Sequence, residues 1–298
     1  MKALISAGEL SRREIVGIID RALDYATLIE ARDVPEPVLE NRVVANIFFE
    51  PSTRTRLSFE LAAKRLGADV LTIHPGTSST VKGESFKDTV MTIASIGAEI
   101  LVVRHHEKGF PQAVHEWTGV PALNAGDGTG EHPTQALLDA ATLMSRFGGV
   151  EGLNIGVVGD VGHSRVAGSL VQVMPTLGAN VTFIGPTPLL PASSPDGIDS
   201  SDDLDSLLPG LDVVYLLRVQ KERGALAGPD YEERFRLDRR RSAAMKPEAV
   251  IMHPGPMNRG VEVSPQVADG PRSLILSQVR HGVPTRMAVL AALAENLR

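Results

Sequence analysis

The chain has 298 residues, of which 43% are hydrophobic and 22% charged, the composition of a folded, soluble protein of about two domains. Its 30 Lys and Arg against 36 Asp and Glu give a net charge of −6, and only 4% of residues are aromatic, which argues against a general nucleic-acid binder. The absence of cysteine excludes disulfides, thiolate catalysis and cysteine-ligated metal centres.

Strands and helices alternate along the first half of the chain. Continuous apolar runs predict strands buried on both faces, and apolar residues at helical spacing predict helices. The predicted elements are, in order, a helix behind the capping box Ser11–Glu14, a strand at Val43–Phe49, a helix at Ser52–Leu66, strands at Val70–Ile73, Ile100–Val103 and Val120–Leu123, and a long helix at Pro133–Phe147.

The same rhythm restarts in the second half. Strands are predicted at Asn154–Val158, Val181–Ile184, Val213–Leu217 and Val250–Met252, a loop at Gly185–Ser201 and a final helix at Pro284–Leu297. Such alternation implies parallel sheets with right-handed crossovers. We therefore expect two doubly wound parallel-sheet α/β domains, residues 1–132 with 284–298 and residues 133–283, with the active site in the cleft between them. Ligands of such sheets bind beyond the carboxyl ends of the strands.

The end of the first strand has the features of an anion site. Pro51 stops the strand, and Ser52 and Thr53 are residue types that favour the start of a helix. The N–H groups of the first helical turn are unpaired and suit a phosphate. Arg54 and Arg56 in that turn run against the helix dipole, so an anion should compensate them. A capped helix with two surface arginines is the alternative, and the pairing of the arginines favours the phosphate site.

Arg104 and His132 follow the ends of two further strands. An arginine that leaves a buried strand needs a partner. His132 precedes the long helix, whose dipole disfavours protonation, so a neutral imidazole could hydrogen-bond a carbonyl oxygen there. A structural histidine at a domain junction is an equally good interpretation. His105 and His106 are interpreted as structural, and without an HExxH motif or spaced carboxylates no metal is predicted.

The second half carries Arg165 and Arg218 at comparable places. The turn Gly159–Gly162 falls short of G-x-G-x-x-G, so it is a weak dinucleotide signal, and Arg165 lies in the helical turn that follows it. Two arginines at strand ends suit carboxylates, although each alone could form a salt bridge. The prolines of His253–Pro256 leave a turn with few N–H donors, whose carbonyls can accept from an amine. No nucleophile has a base at recognisable spacing, which favours direct transfer between two bound substrates.

Taken in order, these motifs resemble the aspartate/ornithine carbamoyltransferase family over essentially the whole chain, through Ser52–Arg56, Val103–His105, His132–Gln135, Arg218–Gln220 and His253–Pro256. The last two motifs point to the catalytic chains of the aspartate branch. The ornithine branch typically carries a Cys in the His-x-x-Pro turn, and this chain has no Cys. The resemblance implies transfer of the carbamoyl group of carbamoyl phosphate to L-aspartate, a step of pyrimidine biosynthesis, without a cofactor.

The resemblance also implies residue roles. Catalytic residues would be Arg54, which stabilises the departing phosphate, and three groups around the carbamoyl oxygen, Thr55, Arg104 and His132. Carbamoyl phosphate would be bound by Ser52, Thr53, Arg54, Thr55, Arg104, His132, Gln135, Gly255 and Pro256. Aspartate would be bound by Lys82, Arg165, Arg218 and Gln220.

A homotrimer with shared active sites follows from the same resemblance, because in the family the loop matching Ser78–Glu84 reaches into a neighbouring subunit's site. Lys82 fits the family pattern, although a solvated loop lysine is the alternative, and either Ser78 or Ser79 is the matching serine. Residues Gln220–Arg236 are expected to order on aspartate binding, and Arg239–Arg241 is interpreted as a solvated helix face. Some members associate with regulatory chains or dihydroorotase, and the sequence leaves both open.

Two other functions remain open. Transfer to another amino acid is disfavoured for ornithine, because Arg218 has the wrong charge for its side-chain cation. A non-catalytic paralogue acting as a scaffold would be expected to lose a site residue, and none is lost. No segment approaches the ~20 apolar residues of a membrane span, and the start lacks a signal sequence, so a cytoplasmic protein without membrane or nucleic-acid partners is expected.

Overall fold

The computed structural model describes residues 1–73, 83–219 and 230–297. The chain divides into two compact units, Met1–Ala141 with Val279–Arg298 and Thr142–Gln278. The limits of these units, at 141/142 and 278/279, differ by several residues from the domain limits predicted at 132/133 and 283/284. Both observed limits fall inside helices. Within the described part of the chain, no helix has the length and apolar character needed to cross a membrane.

The first unit contains a four-stranded parallel sheet with the order β2-β1-β3-β4. Its strands are Val43–Phe48 (β1), Asp69–Ile73 (β2), Ile100–His105 (β3) and Ala122–Asp127 (β4). Among the described residues, the first five α-helices are Arg12–Ala31 (α1), Thr53–Arg65 (α2), Phe86–Ser95 (α3), Phe110–Thr118 (α4) and Pro133–Phe147 (α5). The central strands β1 and β3 are almost wholly buried, which explains their continuous apolar sequences.

The second unit contains a five-stranded parallel sheet with the order β7-β6-β5-β8-β9. Its strands are Asn154–Val158 (β5), Asn180–Ile184 (β6), Asp199–Ser201 (β7), Val213–Leu216 (β8) and Val250–Met252 (β9). The remaining α-helices in the described part of the chain are Arg165–Thr176 (α6), Leu204–Leu207 (α7), Tyr231–Phe235 (α8), Arg239–Ala244 (α9), Pro265–Ala268 (α10) and Ile275–Ala294 (α11). The prediction of two parallel-sheet α/β domains is confirmed.

Three element predictions differ from the structure by more than two residues. Strand β4 continues to Asp127, because the polar Asn124 finds acceptors inside the unit: its Nδ2 donates to the Ile5 carbonyl and to Asp127 Oδ1, each at 3.0 Å. The predicted loop ends in the short edge strand β7, which is polar and mostly exposed and therefore lacks an apolar pattern. Helix α11 begins nine residues before Pro284 (Ile275), since the buried residues Met287–Leu290 hold a helix that one missing N–H does not break.

The interpretation of Arg239–Arg241 as a solvated helix face is wrong for Arg241. Its side chain is only 4% exposed, and its Nε and Nη2 donate to the two carboxylate oxygens of Asp205 at 2.7 and 3.0 Å. Its Nη1 donates to the Arg236 carbonyl at 3.0 Å. These hydrogen bonds from Arg241, with a smaller contribution from Arg240, lower the pKa of Asp205 to about 2. The pair ties α9 to the start of α7.

Replacement of Asp205 by Ala should lower the free energy of unfolding by about 2–3 kcal/mol, because it leaves the Arg241 guanidinium buried with one backbone acceptor. The matched control is Arg240→Ala, which removes the exposed partner of the same carboxylate and should cost less than about 1 kcal/mol. Urea denaturation at pH 7 measures both variants. Equal losses would contradict a stabilising role for the pairing of Asp205 with the buried Arg241.

Candidate active site

The N-terminus of α2 lies just beyond the carboxyl end of the central strand β1. Ser52 is the N-cap residue and has extended backbone angles, but its side chain makes no capping hydrogen bond. The first turn also contains no acidic residue. The positive end of this helix is therefore not neutralised by its own cap, as an anion site requires.

The two arginines of the first turn have different surroundings. Arg56 Nη1 lies 4.0 Å from Glu60 Oε2, which is one turn along the same helix. The Arg54 side chain, by contrast, forms no ion pair or hydrogen bond with any residue that the structure describes. Partial loss of hydration lowers the pKa of Arg54 without a carboxylate to offset it. Of the two, Arg54 is the arginine available to an external anion.

Arg104 has the partner that a buried arginine needs. Its Nη2 donates to Glu50 Oε1 at 2.8 Å, and its Nη1 donates to the Ala125 carbonyl at 3.0 Å. Glu50 follows β1, whose Phe48 is in register with Arg104 on β3. The guanidinium thus joins the ends of three adjacent strands, β1, β3 and β4. Sequence reasoning did not single out Glu50, because its contact with Arg104 depends on which strands are neighbours.

Thr55 and His132, two residues predicted to surround the carbamoyl oxygen, lie close together. Thr55 Oγ1 lies 3.5 Å from His132 Nε2, and both side chains are buried. The turn before His132 is held by Asp127, whose carboxylate accepts from the backbone N–H groups of Gly109 and Glu131, each at 2.7 Å. The interpretation of His132 as a residue that merely packs is weakened, because its Nε2 faces the hydroxyl of the predicted anion site.

Gln135 follows His132 on the first turn of α5 and is only 8% exposed. Its backbone N–H donates to the His132 carbonyl at 2.9 Å, and its Nε2 donates to Asp139 Oδ1 at 3.0 Å. Asp139 is a second residue that the sequence did not reveal. The spacing of four residues along a helix is the one available signal, and it is common among surface residues.

In the second unit, Arg165 and Arg218 lie at the ends of two adjacent strands. Arg165 is the first residue of α6 beyond β5, and Arg218 follows β8, which pairs with β5 through Val158 and Leu216. The turn after β5 requires a glycine at Gly159, where φ is +124° and an added Cβ would lie 2.8 Å from the Leu217 carbonyl. Two guanidinium groups at one edge of a sheet suit a dicarboxylate.

The turn after β9 is held by His253 and Glu262, both fully buried. His253 Nδ1 accepts from the Gly255 N–H at 2.8 Å, so a neutral ring carries its proton on Nε2, which donates to Glu262 Oε1 at 3.2 Å. Glu262 also accepts from the Asn258 N–H. Gly255 has a φ of +67°. Within the described residues, nothing donates to the carbonyls of 254–256, which are left for an outside donor.

Four predicted positions cannot be compared with the structure. Lys82, both serines at 78 and 79, and Gln220 lie outside the described residues. The segment expected to order on aspartate binding is described only from residue 230, where α8 buries Tyr231 and Phe235. The aspartate side of the predicted site is therefore represented by Arg165, Arg218 and the turn after β9.

A possible metal-ligand set lies beside the anion site. Within the described ranges, His105, His106 and Glu107 each place one ligand atom within 4.8 Å of the others. However, His105 Nδ1 already accepts from the Glu107 N–H at 3.0 Å, and its ring stacks on Phe110 with centroids 3.8 Å apart. The absence of a resident metal stays a prediction.

Comparison with known proteins gives matches over both units. The profile described as "Aspartate/ornithine carbamoyltransferase, carbamoyl-P binding domain" matches residues 2–145, and the Asp/Orn binding domain of the same family matches residues 151–293. The aspartate carbamoyltransferase catalytic subunit of Salinispora arenicola is 49% identical over 97% of each chain.

Solved structures agree with these matches. Aspartate transcarbamoylase from Trypanosoma cruzi, in complex with carbamoyl phosphate and aspartate, has a TM-score of 0.89 and 32% identity, covering 98% of this chain and 96% of its own. The catalytic subunit of M. jannaschii aspartate transcarbamoylase has a TM-score of 0.86 and 37% identity, covering 99% of each chain.

His105 packs as a core residue, as the sequence analysis proposed. It lies fully buried against Phe49, Phe86 and Phe110. This burial, together with the neighbouring charge of His106, lowers the pKa of His105 to about 4. The unfolded chain takes up a proton on this ring near pH 6.5, and the folded chain does so only near pH 4. His105 therefore removes stability as the pH falls between these values.

His105→Asn should flatten this pH dependence. From pH 6.5 down to 4, the wild-type chain should lose up to about 1.4 kcal/mol of unfolding free energy per pH unit more than the variant does. Urea denaturation of both proteins at pH 7, 6, 5 and 4 gives the comparison. Parallel curves for the two proteins would show that His105 is not the group responsible.

Proposed function

Because the chain belongs to the aspartate/ornithine carbamoyltransferase family, we propose that it transfers the carbamoyl group of carbamoyl phosphate to the amine of L-aspartate, giving N-carbamoyl-L-aspartate and phosphate. The observation that carries this proposal is the cluster beyond β1, β3 and β4, where an uncapped helix N-terminus lies with Thr55, Arg104 and His132. Arg54 in the same helical turn has no ion-pair or hydrogen-bond partner for its side chain among the described residues. The near-full-length identity to aspartate carbamoyltransferase catalytic subunits supports aspartate as the acceptor.

In this proposal the phosphate of carbamoyl phosphate binds at the N-terminus of α2. The backbone N–H groups and the hydroxyls of Ser52 and Thr53 hold its oxygens, and the Arg54 guanidinium meets the charge that grows as the phosphate departs. Thr55 and His132 then face the carbamoyl oxygen together with Arg104, whose position Glu50 fixes. These three donors stabilise the oxyanion of the tetrahedral intermediate.

Aspartate is bound on the second unit. Arg165 and Arg218 take its two carboxylates, assisted by Gln220, and the carbonyls in the turn of Gly255 and Pro256 align the amines. The deprotonated amine attacks the carbamoyl carbon, so a C–N bond forms and the C–O bond to phosphate breaks. The departing phosphate accepts the proton of the amine, which agrees with the lack of a protein base. Positioning and electrostatic stabilisation provide most of the acceleration.

The proposal includes a homotrimer in which Lys82 and a serine of the same loop complete a neighbouring subunit's site. It places the reaction in pyrimidine biosynthesis in the cytoplasm. Regulatory chains or dihydroorotase are possible partners of the trimer.

The direct test is an assay of the purified chain with carbamoyl phosphate and either L-aspartate or L-ornithine. We expect carbamoylaspartate and no citrulline, because two guanidinium groups favour a dicarboxylate and repel the ornithine cation. Citrulline formation would assign the chain to the other branch of the family. No product with either amino acid, from a folded protein, would favour the non-catalytic scaffold.

Arg54→Ala should lower kcat by about 10²–10³-fold with a smaller change in the KM for carbamoyl phosphate, because the charge it meets develops in the transition state. The matched control is Arg56→Ala, in the same helical turn but next to Glu60, which should change kcat by less than about threefold. Steady-state kinetics at saturating aspartate distinguish the two. Similar losses in both variants would mean that the first turn acts only through its total charge.

Mixing of two inactive variants tests the shared site. Trimers of Lys82→Ala and of Arg54→Ala chains should each be nearly inactive, whereas subunits dissociated and reassociated together should regain a measurable fraction of wild-type activity. The gain arises because some interfaces then combine the intact Lys82 of one chain with the intact Arg54 of another. Reassociated trimers without regained activity would place Lys82 in the site of its own chain.

A further inference from the structure

The side-chain amide of Gln135 has a fixed orientation. Its partner Asp139 is fully buried, and an ionised carboxylate only accepts hydrogen bonds. The amide nitrogen of Gln135 must therefore face Asp139 Oδ1, which lies 3.0 Å away. The Oε1 atom is left at the opposite side of the amide plane. Gln135 therefore presents its Oε1, a hydrogen-bond acceptor, to a ligand and not its amide NH₂.

A buried cation, Arg286, lies within electrostatic reach of Asp139. Arg286 of α11 is only 3% exposed, and its Nη1 donates to the Gly282 carbonyl at 3.1 Å, while its Nε has no hydrogen-bond partner in the described part of the chain. Burial lowers the pKa of Arg286 to about 9, Asp139 acts to raise it, and Arg104 acts to lower it. Arg286 thus stays charged at neutral pH, within electrostatic reach of Asp139.

Arg286 also touches the helix that bears the anion site. Its guanidinium lies over the ring of Phe59, 4.9 Å from the centroid. Phe59 follows Thr55 by four residues on α2, as Asp139 follows Gln135 by four residues on α5. One buried guanidinium therefore contacts the turn below Thr55 and lies within electrostatic reach of the turn below Gln135.

We propose that Asp139 is a positioning residue, which accepts from Gln135 Nε2 and so locks the Gln135 amide with its Oε1 free to accept from the NH₂ of the carbamoyl group. This fixed orientation of the Gln135 amide, called the lock below, selects a carbamoyl group over an acyl group that has the same shape but no N–H. This inference rests on the proposed function, since it assigns the specificity of that same site. The relevant comparison is carbamoyl phosphate against acetyl phosphate, which replaces the NH₂ by a methyl group.

The test is Asp139→Asn, which keeps the shape of the side chain but can donate as well as accept. Gln135 can then rotate and present its own NH₂ to the substrate. Binding of carbamoyl phosphate, measured by calorimetry without aspartate, should weaken by about 10–100-fold. Binding of acetyl phosphate, which makes no such bond, should change by less than about threefold. A parallel loss for both ligands would overturn the proposal.

A double-substitution cycle separates positioning from mere packing. Gln135→Ala alone should weaken carbamoyl phosphate binding, and adding Asp139→Asn to it should weaken binding by less than about threefold more, because the residue through which Asp139 acts is already gone. Full additivity would assign Asp139 a structural role and overturn the proposal. Arg286→Met is a second variant that removes the supporting charge from the other side, and it should produce the same selective loss.

The control is Asp127→Asn, another buried carboxylate of the first unit, which holds backbone N–H groups and does not contact Gln135. It should lower stability and leave the ratio of the two binding constants unchanged.

The proposed function is tested separately from the role of Asp139. A wild-type chain that binds carbamoyl phosphate but does not use aspartate contradicts the acceptor, while the selective loss in Asp139→Asn still supports the lock. A wild-type chain that binds neither phosphate contradicts both.

Discussion

The site depends first on the burial of Arg104 at the end of a central strand. A charge taken out of water is tolerated only with a partner, and Glu50 provides one at 2.8 Å while the Ala125 carbonyl takes a second N–H. These contacts join the ends of β1, β3 and β4, from which the connections to α2 and α5 leave. The ion pair therefore holds together the strand ends from which the segments that bear Thr55 and His132 begin.

Buried carboxylates hold neighbouring groups in place in both units, although none of these carboxylates is proposed to react. Asp127 gathers two backbone N–H groups before His132, and Glu262 holds His253 and the turn that follows β9. Both side chains are buried, and both accept hydrogen bonds from groups that they hold in place. Proposed substrate contacts come mainly from cations, hydroxyls and amides, and acids hold several of these in place.

The sequence predicted those elements whose signal is local. The limits of α5, β5 and β9 agree with the prediction, because long apolar periodicity and continuous buried runs do not depend on distant residues. The motif of α2 pointed to an anion site for the same reason. Contacts such as Arg104 with Glu50 join residues 54 positions apart, and no pattern in either segment marks them. The buried Arg241 was missed because its partner Asp205 lies in another helix.

The lock on Gln135 could not have been predicted from sequence, since Arg286 lies far along the chain from both Asp139 and Phe59. It nevertheless gives a physical reason for arginine rather than lysine at this one position, in a chain with 23 arginines and seven lysines. Loss of hydration lowers the pKa of Arg286 to about 9, which leaves a full charge at neutral pH. A lysine begins near 10.4, so a similar loss of hydration would bring its pKa close to neutrality, and Asp139 would face a cation only part of the time. At a buried position that must stay charged, arginine is thus the side chain that physical chemistry permits.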